Sequence, residues 1–259
     1  SVDKLPDIIM SMSFDGIYDK RFIDKYVSQG FFANVLKGSE QEYLQIGCMD
    51  DSYTLNAGLA MVFLIDEKNL GDLPKPQKWE DLLDPIYKNR IIAFGDEVNG
   101  IFDYPLYYLH KVFGIESMAK LANNTKGIYH AAKAAKLVGT DSREAGAIYY
   151  LPLTFARLCE NPNVSIIFSE DGALIIPIAF LVKKDKIDEL DYLLDFLLNN
   201  YGQMCADINA AIFNPNIESK IPADTKLQWL GWDYIKSNDI LAIGKKLQQE
   251  FHQAWNQEQ

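Results

Sequence analysis

The sequence is poor in the residues that metal and redox chemistry use most. It has three cysteines, Cys48, Cys159 and Cys205, and no two stand at CxxC spacing. The count is odd, so a disulfide framework is not indicated, although one pair can still bond. Histidine is as scarce: His110, His130 and His252 are widely separated, and none has a partner at metal-ligand spacing. No GxSxG, HExxH, P-loop or Rossmann glycine pattern occurs. Cys48 has no evident base beside it in the sequence. No catalytic set and no cofactor are therefore expected.

Positive charge is also short. Lys and Arg number 25 against 36 Asp and Glu, a formal charge of -11. Such a surface repels phosphate backbones, so no nucleic-acid partner is expected. The densest basic cluster, Lys183, Lys184 and Lys186, reads as a solvated strand exit. Long apolar runs are missing too. The longest, Ala173–Val182, has about half of the roughly twenty residues a membrane span needs, so no span is expected in this chain. No signal or lipid-attachment segment opens the sequence, and Ser1 stands where an initiator methionine would be. A processed or trimmed chain is expected. The compartment stays open on these grounds, cytoplasmic included.

What is present is a core. Hydrophobic residues make up 48% of 259 residues, enough for a sizeable packed interior. Asp7–Met10 reads as a strand running into Ser11–Gly16. Asp15 or Ser13 is expected to cap a helix over Ile17–Val27. Strands are predicted at Tyr43–Ile46, Ala57–Ile65, Arg90–Phe94, Gly146–Tyr150, Val164–Phe168 and Ala173–Val182. Helices are predicted at Glu116–Ala122, Ile128–Val138, Thr154–Leu158 and Ile240–Trp255, with another carrying Phe102, Leu106, Leu109 and Phe113 at helical spacing. Ile187, Leu190, Leu193, Leu194, Leu197 and Leu198 form an apolar helical stripe.

Strands alternating with helices predict an α/β protein with mostly parallel sheets and flanking helices. The two long apolar strands, Ala57–Ile65 and Ala173–Val182, bracket a middle region with its own elements. A discontinuous two-lobe chain follows, with 1–65 plus 174–259 as lobe one and 66–173 as lobe two.

Five stretches carry a family resemblance. Leu5–Ser11 looks like an early strand and binding loop, and Ala57–Leu70 like a first crossing strand. Pro76–Pro85 looks like the segment opening the second lobe, and Asp171–Pro177 like the return strand. Leu193–Gln203 with Asn214-Pro215 looks like the helical tail of the first lobe. In this order they resemble type II extracytoplasmic (periplasmic) solute-binding proteins of ABC transporters, in the branch for iron(III), polyamines and related solutes. The resemblance implies a bilobal fold that closes on a small-molecule ligand, an ABC permease or fused domain as partner, and an extracytoplasmic location. About two strand–helix units normally precede the stretch that here starts at Leu5. Lobe one is therefore expected to be truncated, with a partner chain or the rest of a longer protein completing it.

Loops beyond strand carboxyl ends are the places for a ligand, and helix starts there favour anions. Three loops qualify: Ser11, Ser13, Phe14 and Asp15; Asp96, Asn99 and Gly100; and Leu153 and Thr154 after Leu151-Pro152. Ordinary caps and turns are the competing reading of each. Asp50, Asp51 and Tyr53 precede the Ala57 strand and suit a cationic group, a metal or a solvated turn. Glu170 and Asp171 are similar. Tyr149-Tyr150 suggests ferric ligation, because adjacent tyrosines bind iron in members of the resembled family. Here the pair falls within a strand, so one of the two is expected in the core. The expected ligand is small and anionic or oxygen-rich, a metal complex included. Ferric iron or a polyamine is the alternative ligand, and an enzyme or a regulatory ligand sensor is the alternative function on the same fold.

Overall fold

The computed structural model describes residues 1–14, 16–36, 50–96 and 100–258. Asp15, Asn99, Cys48 and the strand expected at Tyr43–Ile46 lie outside the described residues. The chain forms two compact units. Unit 1 comprises Ser1–Ala60, Ile175–Asp224 and Trp229–Leu241; unit 2 comprises Met61–Leu174, Thr225–Gln228 and the chain from Ala242 onward.

Unit 1 is organised by strands β1 (Ile8–Ser11), β2 (Phe32–Ala33), β3 (Tyr53–Asp66), and, after the excursion through unit 2, the long return strand Ala173–Lys183. The return strand is buried at every residue, as a continuous apolar run covered on both faces should be. It pairs antiparallel with β1 on one side, from Ile8 opposite Val182 to Ser11 opposite Ala179. On its other side it pairs antiparallel with β3 over Tyr53–Ala60, and β2 continues that edge. The expectation of a mostly parallel sheet fails here, because a chain that leaves along one strand and returns along its neighbour must run antiparallel to it.

The β3 ladder carries a bulge between Leu55 and Ala57. The bulge frees Asn56, whose buried amide Nδ2 donates to the carbonyl of Leu197 at 3.0 Å. Leu197 lies in a π-helical turn, Phe196–Asn200, inside a continuous helical stretch Asp191–Asp207. A π-turn leaves carbonyls without their usual partners, and the Asn214 amide takes the next one, Leu198, at 2.9 Å. The expected apolar stripe docks there: Leu194 is buried on Phe180 and Val182, with Ile187, Leu190, Leu197 and Leu198 packed around it.

Unit 2 holds the rest of β3 with β4 (Ile91–Asp96), β5 (Gly100–Ile101), β6 (Thr125–Tyr129), β7 (Ile148–Pro152) and β8 (Val164–Ile167). The long return strand is β9 in chain order. β8 and β7 flank β3 antiparallel, whereas β7, β4 and β6 are mutually parallel in that order. Unit 2 is thus mixed. The helix expected over Ile128–Val138 divides: Thr125–Tyr129 is a strand, and only Ala131–Leu137 is helical. Pairing with β4 overrides the local helical period. The β3 exit is fixed by Asp66, a buried carboxylate accepting from the backbones of Lys68, Asn69 and Gly139 and from the Asn69 amide.

The final helix, Ile240–Glu258, was expected in lobe one, but from Ala242 onward it clusters with unit 2. Gln248 donates to the Ile101 carbonyl at 3.1 Å, and the Trp255 indole to the Thr125 carbonyl at 3.0 Å. Those contacts depend on tertiary placement, which periodicity does not encode. Small strands β10 (Ala211–Ile212) and β11 (Leu227–Gln228) complete the set, pairing with β3 and β9 respectively.

The β3–β9 contact leaves no room at Gly58. A Cβ there would lie 2.1 Å from Ile175 Cγ2 and 3.3 Å from the Ile176 carbonyl oxygen. Gly58→Ala is expected to destabilise the protein by about 1–3 kcal/mol, the usual cost of overpacking a core. Urea unfolding followed by far-UV circular dichroism measures it, and an unchanged midpoint would show that β9 yields freely.

Candidate functional site

In unit 1 the β1 strand ends in a tight hydroxyl turn. Ser11 Oγ accepts from the Ser13 backbone N–H at 3.3 Å and lies 3.4 Å from Ser13 Oγ. Phe14 follows, buried against Tyr18 (5.1 Å between ring centroids) and Trp229 (5.5 Å). The helix expected to begin at Ile17 under a Ser13 or Asp15 cap begins instead at Lys20. Gly16–Tyr18 forms a 3-10 turn, and Asp19 is the cap, accepting from Arg21 N at 2.7 Å. The Arg21 guanidinium folds back onto the same carboxylate and holds Asp19 below the usual carboxylate range. That helix start is therefore satisfied by its own side chain and offers no open anion cradle.

Tyr53 also departs from its expected position. It is the first residue of β3 rather than part of a rim before it, and its hydroxyl donates to the Ile17 carbonyl at 2.6 Å. Burial pushes its phenol well above the usual value, and the nearby Asp50 charge adds to the shift. Asp50 is neutralised locally, accepting from Lys236 Nζ at 2.7 Å and from Ser52 N at 2.9 Å. Asp51 stays exposed.

Sequence reasoning missed the other half of this cluster. Trp229 and Trp232 bracket Leu230-Gly231; Trp229 meets Phe14, and Trp232 meets Tyr18 and Tyr53. Trp232 lies 4.6 Å from Tyr53 and 5.6 Å from Trp229, and Tyr53 stacks on Tyr18 at 5.3 Å. The signal available was the pair itself: two of four tryptophans three residues apart around a glycine. Trp229 is 5% exposed, and its Nε1 has no hydrogen-bond partner among the described residues.

In unit 2, β4, β6 and β7 run parallel, so their carboxyl ends share one edge. That edge brings several expected residues together. Asp96 is the last residue of β4 and pairs antiparallel with Gly100, the first residue of the strand β5. The following helix, Asp103–Phe113, starts only after Phe102. Gly100 has φ +85°, and a Cβ on it would lie 2.3 Å from His252 Nε2. Only glycine suits both the backbone and the space.

Leu153 and Thr154 start a helix of four residues, Leu153–Ala156, with Leu153 buried and Thr154 half-buried. The next residue, Phe155, meets the His130 ring edge-on at 5.7 Å, and His130 caps the Ala131 helix through Nδ1. His130 was expected as a lone helical histidine; it belongs to this edge. Glu170 and Asp171 form the turn before β9, where Asp171 accepts from Trp79 N at 3.3 Å and Tyr108 Oη at 3.4 Å.

Tyr149 and Tyr150 part company, as neighbouring strand residues do. Tyr149 Oη accepts from the Gly146 N–H at 2.9 Å, whereas Tyr150 Oη is buried with no partner among the described residues. Burial pushes both phenols up, which favours phenol over tyrosinate. Among the described residues no group of three or more His, Cys, Asp or Glu side chains is placed to hold a metal ion.

A family model described as bacterial extracellular solute-binding protein matches residues 3–238. The chain belongs to this family. No curated protein matches it by sequence. Solved structures of the same fold include the ferric binding protein from Campylobacter jejuni, at 14% identity and TM-score 0.66, covering 98% of this chain and 85% of that one. A second is the periplasmic binding protein AfuA from Actinobacillus pleuropneumoniae with fructose-6-phosphate bound, at 16% identity and TM-score 0.61, covering 98% and 82%. A third is the spermidine/putrescine substrate-binding protein PotD from Streptococcus pneumoniae, at 15% identity and TM-score 0.59, covering 96% and 84%. This solute-binding protein therefore has the bilobal type II α/β fold, with mixed sheets and flanking helices. Among the described residues no helix is long and apolar enough to cross a membrane.

Tyr53→Phe separates a packing role from a ligand role. It leaves the buried Ile17 carbonyl without its donor, so a loss of about 1 kcal/mol in stability is expected. Ligand affinity should stay within twofold; a larger loss in calorimetry would return Tyr53 to the binding set.

Proposed function

We propose that this solute-binding protein captures a small anionic or oxygen-rich solute for uptake by an ABC permease outside the cytoplasm. The observation that carries the ligand class is the Trp229 indole N–H. It can only donate, it is buried, and nothing among the described residues accepts from it. A buried donor left unmatched is costly, so its partner belongs on the ligand or on a water the ligand displaces. The Tyr150 hydroxyl is a second buried group in the same condition.

The proposed contacts in unit 1 are Ser11, Ser13, Phe14 and Trp229, with Asp15, next in the sequence, among the expected residues. In unit 2 they are Asp96, Asn99, Gly100, Tyr150, Leu153 and Thr154. The fold does not choose the ligand, since its known representatives include a ferric-binding protein, one holding a sugar phosphate and one named for polyamines. Local chemistry favours an acceptor-rich solute over a polyamine, because Asp50 already has its cation in Lys236. A catalytic reading gains little from the cysteines. Burial raises the thiol of Cys205, which makes it a poor nucleophile.

Calorimetry against matched panels of organic anions, oxyanions, sugar phosphates, polyamines and ferric citrate tests the reading. An oxygen-rich solute is expected to bind, and Trp229→Phe should weaken it about tenfold, roughly 1.4 kcal/mol for one lost hydrogen bond. Tight polyamine binding with no response to any anion would overturn the ligand class.

A further inference from the structure

Within unit 2 the final helix meets β5 and β6 through one face. Gln248, His252 and Trp255 stand at i, i+4 and i+7, the spacing of a single helical stripe. The outer two are bonded, Gln248 to the Ile101 carbonyl and Trp255 to the Thr125 carbonyl. The middle one is not. His252 is half-buried, and its ring makes no hydrogen bond among the described residues. It rests instead on Gly100, where a Cβ would collide with ring atoms Nε2 and Cε1. Gly100 is held from the other strand as well, since a Cβ on Gly95 would meet the Gly100 carbonyl oxygen. Phe251 and Trp255 flank the imidazole at 5.5 and 6.1 Å between ring centroids. The glycine under the ring stands opposite Asp96, at the edge that β4 shares with β6 and β7.

A ring seated by contact alone depends on its charge. Neutral imidazole can lie against backbone and aromatic carbon, whereas imidazolium carries two N–H donors and needs water or acceptors around both. We propose that His252 is a positioning residue for solute binding: its neutral ring, seated on Gly100, keeps the end of β4 and the start of β5 in the shape that receives the solute. The inference rests on the proposed function, which puts Asp96 and Gly100 among the solute contacts. Burial holds the His252 imidazole below the usual histidine value, so the ring is neutral at pH 7. The charged groups on the elements it touches are Asp96, opposite Gly100, and Glu250 and Lys245 on its own helix; burial outweighs them. The sign of the pH effect follows. A ring freed from its seat takes a proton more readily than a seated one, so the seat holds above the usual histidine value and is lost as pH falls below it. A phenylalanine or leucine in its place would keep the seat at every pH, and plain packing would show no pH dependence at all.

Two readouts on the whole chain test this at pH 7.5 and 5.5. The first is calorimetry with inorganic phosphate, citrate and fructose-6-phosphate as probes. The second needs no solute: amide exchange at Phe102, whose N–H donates to the Phe94 carbonyl beside the seat at 3.1 Å, expressed as a protection factor. In the unaltered chain both affinity and Phe102 protection should fall at least fivefold at the lower pH. His252→Phe should keep affinity within threefold at pH 7.5 and abolish both pH effects, although His110 and His130 still titrate in it. His252→Leu is the second variant of this kind, should the larger ring not fit. His252→Lys, charged throughout, should bind at least fivefold more weakly at both pH values, with circular dichroism checking that each variant folds. A pH effect that survives in His252→Phe and His252→Leu, or full affinity and protection in His252→Lys, would overturn the proposal. Should none of the three probes bind, the oxygen-rich reading falls, and the Phe102 arm alone decides the seat: equal protection at the two pH values overturns it.

Discussion

Everything in this protein is hung on the pairing of β3 with β9. The chain leaves unit 1 after Ala60 and re-enters it at Ile175, and these two residues are partners in the ladder. Two runs of apolar residues, each long enough to serve both units, make this possible. Their tight approach at Gly58 fixes the register, because only a residue without a Cβ leaves room there for Ile175 and the Ile176 carbonyl. The bulge beside it spends one residue, Asn56, on satisfying the π-turn of the covering helix. A strand irregularity and a helix irregularity thus answer each other.

The two long strands, the closing apolar stripe and the alternation of element types were readable from apolar runs and helical spacing alone. What escaped had three physical sources. The end of β6, Ile128-Tyr129, was read as the start of a helix, and parallel pairing to β4 decides its state. The Asp96–Gly100 stretch was read as a helix entry because a two-residue strand such as β5 is below what a local pattern can show. The final helix was given to the wrong side because hydrogen bonds from Gln248 and Trp255 to distant carbonyls assign it.

The candidate site was less readable than the fold, and for a reason of chemistry. The residues picked by type were hydroxyls and acids in loops, and two are consumed internally: Asp50 by Lys236 and Tyr53 by Ile17. Residue type reports what a group can bond, never what it already bonds. The unmatched hydroxyl of Tyr150 and the unmatched indole of Trp229 differ in how they were found. Tyr150 drew notice through an adjacent tyrosine whose hydroxyl is already engaged. Trp229 drew none, since an indole in a loop reads as packing.

That distinction bears on how an acidic protein can hold an anion. A formal charge of -11 acts through water and salt, and at physiological ionic strength its field is screened over about 8 Å. A buried N–H acts at hydrogen-bond distance in a medium of lower polarity, where its dipole is worth more and its geometry is already set. The aromatic cluster around Trp229 supplies that setting: Phe14, Trp232 and, behind them, Tyr18 and Tyr53 exclude water from the indole without competing for its proton. The acids act elsewhere, some held by their own lysines, as Asp50 is by Lys236 and Asp7 by Lys183, and others concentrated along the helical face from Asp188 to Asp195. On this reading the negative charge keeps the molecule soluble, and neutral donors sheltered from that charge choose the solute.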